Sequence, residues 1–242
     1  MRRDSTLFPV ATIMDRLHEI DGNPSTLDDI YVGRMGQTSD GEAEFRPTAD
    51  EAIRNFPHKN NKLAGAVEIY QMPIRNANGK IIPGRYIAGL DPYDDDTSET
   101  MSLGSLFVMD LFTDEIVCEY TGRPMFANDY YEQVRLILMF YNARLNYEND
   151  KKGIFAYFSQ MNCTYLLTDT LEFLKEKDMI GVGQLYGNKA KGTKASAPVN
   201  SYARTLLRDW LLKPVEITKT VDGETKDVTI PNVMKLKCRA AL

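Results

Sequence analysis

The stretch Tyr86-Ile-Ala-Gly-Leu-Asp91 is a short apolar run that ends in an acidic residue. Two more apolar runs follow, Ser105-Leu-Phe-Val-Met-Asp110 and Glu115-Ile-Val-Cys-Glu-Tyr120, and Thr113-Asp114 separates them at hairpin spacing. Short apolar runs bounded by turn residues are typical of strands, and a connection this short favours antiparallel pairing. The three runs therefore predict a three-stranded meander that begins just after Arg85.

After the meander the pattern changes from strand to helix. Residues 129–143 place apolar side chains three or four positions apart, as an amphipathic helix does. A short strand, Leu145-Asn-Tyr-Glu148, and a second helix over residues 151–161 follow. The order of three strands, a helix, a strand and a helix is that of the ribonuclease-H-like fold. We therefore predict an α/β domain whose mixed sheet is flanked by helices.

The regions on either side of this pattern are less regular. Residues 1–60 are mostly polar apart from one amphipathic stretch at 10–20, and residues 62–74 are typical of a strand. We expect a small N-terminal appendage over residues 1–82 and the ribonuclease-H-like domain over residues 83–242. Three further elements are predicted in the second half: a mobile loop over residues 181–198, a helix over residues 201–212, and a last helix that starts at Pro231.

The composition argues against several classes of protein. The chain has 242 residues and a formal net charge of −5, and no apolar run approaches the ~20 residues that cross a bilayer. Its 3 cysteines form no Cys-x-x-Cys pair and it has only 2 histidines, which argues against a structural zinc site. The acidic balance argues mildly against a general nucleic-acid coat, but it is compatible with acidic metal ligands beside a local basic patch.

Asp91 is the first candidate functional residue. It is followed by Asp94, Asp95 and Asp96. A carboxylate at the end of a buried strand is costly unless a positive charge neutralises it, and carboxylate oxygens suit Mg²⁺ or Mn²⁺. The alternative is an acidic surface turn after a strand.

Glu148 is a second acid at a strand end. In the predicted sheet its strand is the neighbour of the strand that ends at Asp91, so the two acids would share a metal ion. Two cations about 4 Å apart would hold both the attacking and the leaving oxygen of a phosphodiester. The alternative is that Asn149 or Asp150 caps the next helix and that Glu148 only interacts with the helix dipole.

Residues 85–213 resemble the nuclease domain of the large terminase subunit of tailed bacteriophages. The matching stretches are Tyr86-Ile-Ala-Gly-Leu-Asp-Pro-Tyr-Asp94, Ser102-Leu-Gly-Ser105, Ile116-Val-Cys-Glu-Tyr-Thr-Gly-Arg-Pro124, Tyr141-Asn142 and Tyr147-Glu-Asn149. The segment from Arg54-Asn-Phe-Pro-His58 to Met72-Pro73 also resembles what precedes that domain in some of these terminases. The resemblance therefore covers more than half of the chain.

The resemblance implies a hydrolase that cuts concatemeric double-stranded phage DNA while it is packaged into a procapsid. It implies a two-metal site of Mg²⁺ or Mn²⁺, in which Asp91 matches the family's first-strand acid and Glu148 its second. Asp94, Asp95 or Asp96 would support a metal through water, and we place Asp95 among the metal ligands. The implied partners are DNA, the terminase ATPase motor, the portal and the small terminase subunit. The implied location is the host cytoplasm, transiently at the procapsid portal.

This chain departs from the family in two ways. It contains no G-x-x-x-x-G-K-[ST] phosphate loop, so we interpret it as an isolated nuclease domain without the ATPase motor. The family also has a third carboxylate on a late helix, whereas residues 234–242 contain no acid. Asp209 is the nearest late-helix carboxylate, and we interpret it as surface charge on an amphipathic helix.

Basic residues that suit DNA phosphates are concentrated after the second predicted helix. They are Lys189, Lys191, Lys194, Arg204 and Arg208. Contacts of this kind follow the DNA backbone and weaken with salt. The alternative is that residues 187–194 form a solubilising loop.

Three functions stay open on the sequence alone. The first is the endonuclease. The second is a catalytically weak or inactive DNA-binding or assembly module of the packaging motor, which the absent third acid favours. The third is another ribonuclease-H-like enzyme such as a resolvase or transposase, against which the stretches Thr121-Gly-Arg-Pro124 and Tyr147-Glu-Asn149 count.

Overall fold

A computed structural model of the chain describes residues 7–23, 29–55, 63–93, 102–181, 183, 190–221 and 224–242. The chain divides into two compact units, one of Met1–Asp28 with Ser196–Leu242 and one of Asp29–Ala195. The helices are α1 (Val10–Gly22), α2 (Ala127–Tyr141), α3 (Gly153–Gln160), α4 (Phe173–Glu176) and α5 (Ala197–Leu212). The strands are β1 (Tyr31–Gln37), β2 (Ala43–Pro47), β3 (Val67–Ile69), β4 (Tyr86–Asp91), β5 (Gly104–Asp110), β6 (Glu115–Gly122), β7 (Arg144–Tyr147), β8 (Pro214–Val221) and β9 (Glu224–Pro231).

The unit Asp29–Ala195 is built on a seven-stranded mixed sheet with the strand order β2-β1-β3-β6-β5-β4-β7. β4, β5 and β6 pair antiparallel as the predicted meander, and β7 joins the other edge of β4 in parallel. A parallel neighbour needs a long crossover connection, and α2 lies in the connection between β6 and β7. This arrangement confirms the predicted ribonuclease-H-like class, a mixed α/β sheet flanked by helices.

Three strands from before residue 82 extend the same sheet beyond β6. β3 pairs antiparallel with both β6 and β1, and β1 pairs antiparallel with β2. Gln133 of α2 fixes β1, because its amide nitrogen donates to the carbonyl of Met35 (3.1 Å) and its amide oxygen accepts from the Met35 N–H (2.8 Å). A domain boundary between residues 82 and 83 stays a prediction. In the described structure, strands from both sides of this point are hydrogen-bonded in one sheet.

The helix α2 covers one face of this sheet. The five apolar side chains predicted at helical spacing are all buried, and they are Tyr130, Val134, Ile137, Leu138 and Tyr141. Ala127, Tyr131, Arg135 and Leu136 are buried as well. The helix ends where Asn142 adopts a left-handed conformation with φ of 50°, which Asn tolerates better than most other residues. The predicted helix over residues 129–143 is therefore confirmed, beginning at Ala127 and ending at Tyr141.

The two faces of the sheet differ in burial because side chains alternate along a strand. Tyr86, Ala88 and Leu90 of β4 point into the core. The alternate residues of β4 and β5 are half-buried or exposed, and they are Ile87, Gly89, Asp91, Ser105, Phe107 and Met109. We call this side of the sheet the Asp91 face.

The smaller unit consists of α1, α5, the hairpin β8-β9 and short 3₁₀ turns. The buried Arg16 of α1 donates from Nε to the carbonyl oxygen of Leu236 at 2.8 Å. α5 begins after Ser196, whose hydroxyl oxygen accepts from the N–H of Val199, a standard N-terminal cap. Among the described residues, no helix has the length and apolar character that crossing a membrane requires.

The end of the chain differs from the prediction. A helix was expected to start at Pro231, but Pro231 completes β9 opposite Pro214, and Asn232–Lys235 form a 3₁₀ helix. That expectation was wrong because the hairpin β8-β9 continues to Pro231. The described residues of β9 are mostly exposed and polar, so they lack the alternation of apolar side chains that identifies a half-buried strand.

Candidate functional site

Asp91 is the last residue of β4 and lies directly opposite Ser105 of β5. Because Leu90 points into the core, alternation along the strand turns Asp91 to the other face, where it is exposed. Asp91 therefore lies where the sequence predicted an acid, at the end of the first strand of the meander.

Glu148 follows the last residue of β7. Its backbone N–H donates to the carbonyl oxygen of Leu90 at 3.2 Å, so it continues the parallel register between β7 and β4. Parallel neighbours end at the same edge of a sheet. The half-buried Glu148 is thereby brought beside Asp91 on the Asp91 face.

The two carboxyl groups interact directly. Burial, a hydrogen bond with Asp91 and the negative charge of Asp91 raise the pKa of Glu148, and the positive charge of Lys151 opposes this. The closeness of the two acids disfavours two negative charges at the carboxyl ends of β4 and β7, and a bound cation would offset them.

The alternative that Asn149 or Asp150 caps the following helix is wrong. α3 begins at Gly153 with Lys152 in the cap position, and no side chain caps it. Asn149 instead donates from its side-chain amide to the carbonyl oxygen of Lys191 at 3.0 Å. Glu148 therefore lies well before the first turn of α3, and the interaction with the helix dipole does not explain its position.

The segment 190–193 lies against the end of β7. Thr193 forms a parallel bridge with Glu148, its N–H donates to the carbonyl oxygen of Tyr147 at 2.8 Å, and its hydroxyl donates to the side chain of Asn146 at 2.9 Å. Gly192 has a φ of 71°, and a Cβ there would lie 2.5 Å from the carbonyl oxygen of Tyr147. These residues belong to the mobile loop predicted over residues 181–198. Within that range, residues 190–193 form backbone hydrogen bonds and α5 begins at Ala197.

The predicted DNA-binding lysines have different surroundings. Lys191 pairs with Asp169 at 2.7 Å and also donates to the carbonyl oxygen of Leu167 at 3.3 Å. Lys194 is exposed and directly follows Thr193, so the bridge from Thr193 to Glu148 brings its backbone near the acid pair. Lys189 lies outside the described residues.

The two predicted arginines lie on α5, which belongs to the other unit. Arg204 is exposed, and Arg208 forms a salt bridge with Asp209 at 2.7 Å. This pairing agrees with the interpretation of Asp209 as surface charge on an amphipathic helix.

The acid pair has the donor chemistry for a hard divalent cation. Two carboxyl groups at one edge supply the oxygen ligands that Mg²⁺ and Mn²⁺ prefer, and a cation would neutralise their negative charge. Within the described ranges, no group of three or more His, Cys, Asp or Glu side chains could hold a metal ion. The predicted supporting acids Asp94, Asp95 and Asp96 lie outside the described residues.

A second acid pair on the same face was missed by the sequence analysis. Glu68 of β3 and Glu119 of β6 lie directly opposite each other, and both are only 2% exposed. Arg54 binds Glu68 through two N–H groups, and the hydroxyl of Tyr70 donates to Glu119 at 2.9 Å. The signal in the sequence was Glu119 itself, an acid inside an otherwise apolar strand, which is costly unless other groups satisfy it.

Comparisons with known proteins add little to this description. No protein-family profile matches the chain, and no curated protein matches it. Among solved structures the chain is similar to the crystal structure of the large terminase nuclease from thermophilic phage G20c, at 10% sequence identity and a TM-score of 0.32, over 76% of this chain and 88% of that one. Because the superposition is so loose, the fold assignment rests on the order and directions of the strands described above.

Proposed function

We propose that this chain is a divalent-metal-dependent endonuclease domain that cleaves double-stranded phage DNA during genome packaging. The observation that supports it most is the hydrogen-bonded acid pair Asp91 and Glu148, which lies where β4 and β7 end side by side. The terminase resemblance of residues 85–213 supplies the substrate and the setting, and the acid pair supplies the chemistry.

In this proposal Asp91 and Glu148 hold Mg²⁺ or Mn²⁺, with Asp95 as a further ligand. A bound divalent cation would polarise the phosphoryl oxygens and activate water, and the terminase resemblance implies a second cation beside it. The chain's own contribution is to fix two oxygen donors on adjacent strands. Both acids must be ionised to bind metal, so metal binding competes with protonation of Glu148, whose pKa is raised.

Lys194 and Lys191 are the proposed phosphate contacts near the acid pair, and Lys189, Arg204 and Arg208 are further candidates. Their role is to position the DNA backbone, which needs no sequence preference. The proposed partners are double-stranded DNA, the terminase ATPase motor, the portal and the small terminase subunit. The proposed place of action is the host cytoplasm, transiently at the procapsid portal.

A second candidate is a catalytically weak or inactive DNA-binding or assembly module of the packaging motor. The observation that favours it is the salt bridge of Asp209, which is the nearest late-helix carboxylate. Asp209 is already paired with Arg208, so it is a poor substitute for the third acid that the terminase resemblance implies.

Plasmid nicking separates the two candidates. We expect the wild type to nick supercoiled plasmid in Mn²⁺ or Mg²⁺ and to stop when the metal is chelated. Asp91→Ala and Glu148→Ala should each slow nicking by at least about 100-fold, since even the loss of a group that only supports a ligand costs 10- to 100-fold. Asp209→Ala is the matched control and should nick at the wild-type rate.

The possible results lead to different conclusions. Nicking that persists unchanged in Asp91→Ala would refute the site. Metal-independent nicking would refute the proposed chemistry. No nicking by the wild type in either metal would favour the assembly module over the endonuclease.

A further inference from the structure

Two hydrogen-bonded hydroxyl groups lie between the strand position of Asp91 and the buried Glu119 on the Asp91 face. Asp91 lies opposite Ser105, and Ser105 lies opposite Thr121 on β6. The Ser105 and Thr121 hydroxyl oxygens are 2.9 Å apart, and the Thr121 hydroxyl donates to Oε1 of Glu119 at 2.9 Å. Directly opposite residues on antiparallel strands have Cβ atoms about 5 Å apart, so each step of the line is short.

The direction of the hydrogen bonds follows from the number of protons. Each hydroxyl group has one hydrogen to donate. When Glu119 is ionised, Thr121 gives its hydrogen to Glu119, so Ser105 must give its hydrogen to Thr121. The Ser105 oxygen is then left with lone pairs that can accept a proton on the side of Asp91. When Glu119 is protonated, the whole line can reverse and Ser105 can donate toward Asp91.

The surroundings of Glu119 suit a group that takes up a proton near neutral pH. Burial, followed by the negative charge of Glu68, raises the pKa of Glu119 to about 7. The hydrogen bonds from Thr121 and Tyr70 and the charge of Arg54 oppose this rise. Among the described residues, the charged or titratable groups that act on this carboxyl group are Glu68 of β3, Tyr70 just after β3 and Arg54 before it.

Ser105 is not needed to satisfy Glu119. The carboxyl group already accepts from Thr121 on one oxygen and from Tyr70 on the other. Ser105 only extends the line from Thr121 to the strand position beside Asp91. The Asp91 face also has space at this point, because a Cβ built on Gly89 would meet no described atom within 4 Å.

We propose that Ser105 and Thr121 relay a proton from the attacking water at Asp91 to Glu119. This rests on the proposed endonuclease function. The water oxygen forms a bond to phosphorus while the bond from phosphorus to the leaving sugar oxygen breaks. The water proton passes to Ser105, the Ser105 proton to Thr121, and the Thr121 proton to Glu119. The leaving oxygen takes a proton from solvent, and Glu119 later returns its proton through the same line.

Position 105 offers a matched pair of variants. Ser105→Thr keeps the hydroxyl group, whereas Ser105→Val has nearly the same shape as Thr without it. Neither variant removes a hydrogen bond to Glu119. At saturating Mn²⁺ we expect Ser105→Val to nick plasmid about 100-fold more slowly, the scale of general-base catalysis, and Ser105→Thr to stay close to the wild type.

The pH profile distinguishes a relay from a purely structural network. We expect the wild-type nicking rate to rise with pH around a midpoint near 7, as Glu119 becomes able to accept a proton. In Glu119→Gln that rise should be absent, because an amide does not take up the proton. A measurement independent of nicking is the titration of side-chain carboxyl ¹³C shifts, in which a midpoint near 7 should be present in the wild type and in Ser105→Val but missing from Glu119→Gln.

The failure of the relay and the failure of the endonuclease function give different results. If wild-type nicking requires Asp91 but Ser105→Val nicks as fast as Ser105→Thr, the relay alone is refuted. A Glu119 carboxyl group that titrates at an ordinary pKa would also refute it. If the wild type makes no nicks, the endonuclease function is refuted and the relay with it.

Discussion

Asp91 and Glu148 lie together because β4 and β7 are parallel neighbours, which brings the ends of both strands to one edge of the sheet. In water two carboxylates repel each other, but here the backbone register holds them in place. The raised pKa of Glu148 is the result of burial and of this proximity. Two acids that lie side by side are a better candidate for metal binding than the single strand-end acid that each sequence motif contains.

The buried Glu119 should make stability depend on pH. Its pKa is raised to about 7 in the folded chain, above the ordinary value of 4.5. As the pH rises from 4.5 to 7, the unfolded chain ionises at Glu119 while the folded chain does not, so the free energy of unfolding falls and then levels off above pH 7. The group is neutral in both states below pH 4.5 and costs nothing there.

Glu119→Gln removes this cost. We expect the variant to gain about 2 kcal/mol more in the free energy of unfolding at pH 8 than at pH 5, relative to the wild type. Urea unfolding at the two pH values measures the difference. An equal change at both pH values would show that Glu119 titrates normally in the folded chain.

The segment 190–193 borders the candidate site because it is hydrogen-bonded to the end of β7. It pairs with the end of β7 through Thr193 and with residue Asp169 through Lys191. Lys191 inside the segment and Lys194 just after it therefore have different surroundings. Lys191 is occupied by Asp169, whereas Lys194 is exposed just beyond the bridge to Glu148.

This difference predicts unequal effects on DNA binding. Lys194→Ala should weaken binding to DNA of any sequence and reduce the slope of log affinity against log salt by about 1, because one phosphate contact is lost. Lys191→Ala should have the smaller effect, since its charge is already partly neutralised. Fluorescence anisotropy with a labelled duplex over a salt series measures both slopes. Equal slopes for the wild type and Lys194→Ala would exclude this lysine as a phosphate contact.

The elements that were predictable from the sequence are those whose pattern is local. The meander β4–β6 and the helix α2 have apolar side chains at a constant period, and core packing preserves that period. The hairpin β8-β9 was not predictable in this way because its strands pair through the backbone while most described side chains of β9 stay exposed.

The candidate site was predictable only in part for the same reason. The sequence placed Asp91 and Glu148 at strand ends, and adjacency followed once the strand order was assumed. The line from Ser105 through Thr121 to Glu119 depends on the exact register of three strands, including a bulge between Val108 and Met109. A register shift of one residue would turn every one of these side chains to the other face.

The two compact units of the whole molecule are not two consecutive stretches of the chain. The unit Asp29–Ala195 contains the acid pair, and the other unit combines both ends of the chain, Met1–Asp28 and Ser196–Leu242. The N-terminal strands β1 and β2, predicted as part of an appendage, belong to the central sheet. Their position in the sheet was not predictable, because it depends on pairing between strands that are distant in the chain and not on a local pattern of side chains.

The net charge of −5 has a consequence for the whole chain. An acidic protein repels DNA at long range, so binding depends on local positive charge and on neutralisation of its acids. In the proposed function, a divalent cation at Asp91 and Glu148 would serve both the chemistry and this electrostatic requirement. Metal binding by the acid pair is therefore the step on which the proposed function depends most.

Direct titration with Mn²⁺, followed by electron paramagnetic resonance of the free ion, tests this step without any DNA. We predict that the wild type binds Mn²⁺ more tightly at pH 8 than at pH 5, because protons compete with the metal for the carboxylate oxygens, and that Asp91→Asn loses this binding. Asp209→Asn should bind as the wild type does. Equal Mn²⁺ binding by the wild type and Asp91→Asn would contradict the assignment of Asp91 and Glu148 as a metal centre.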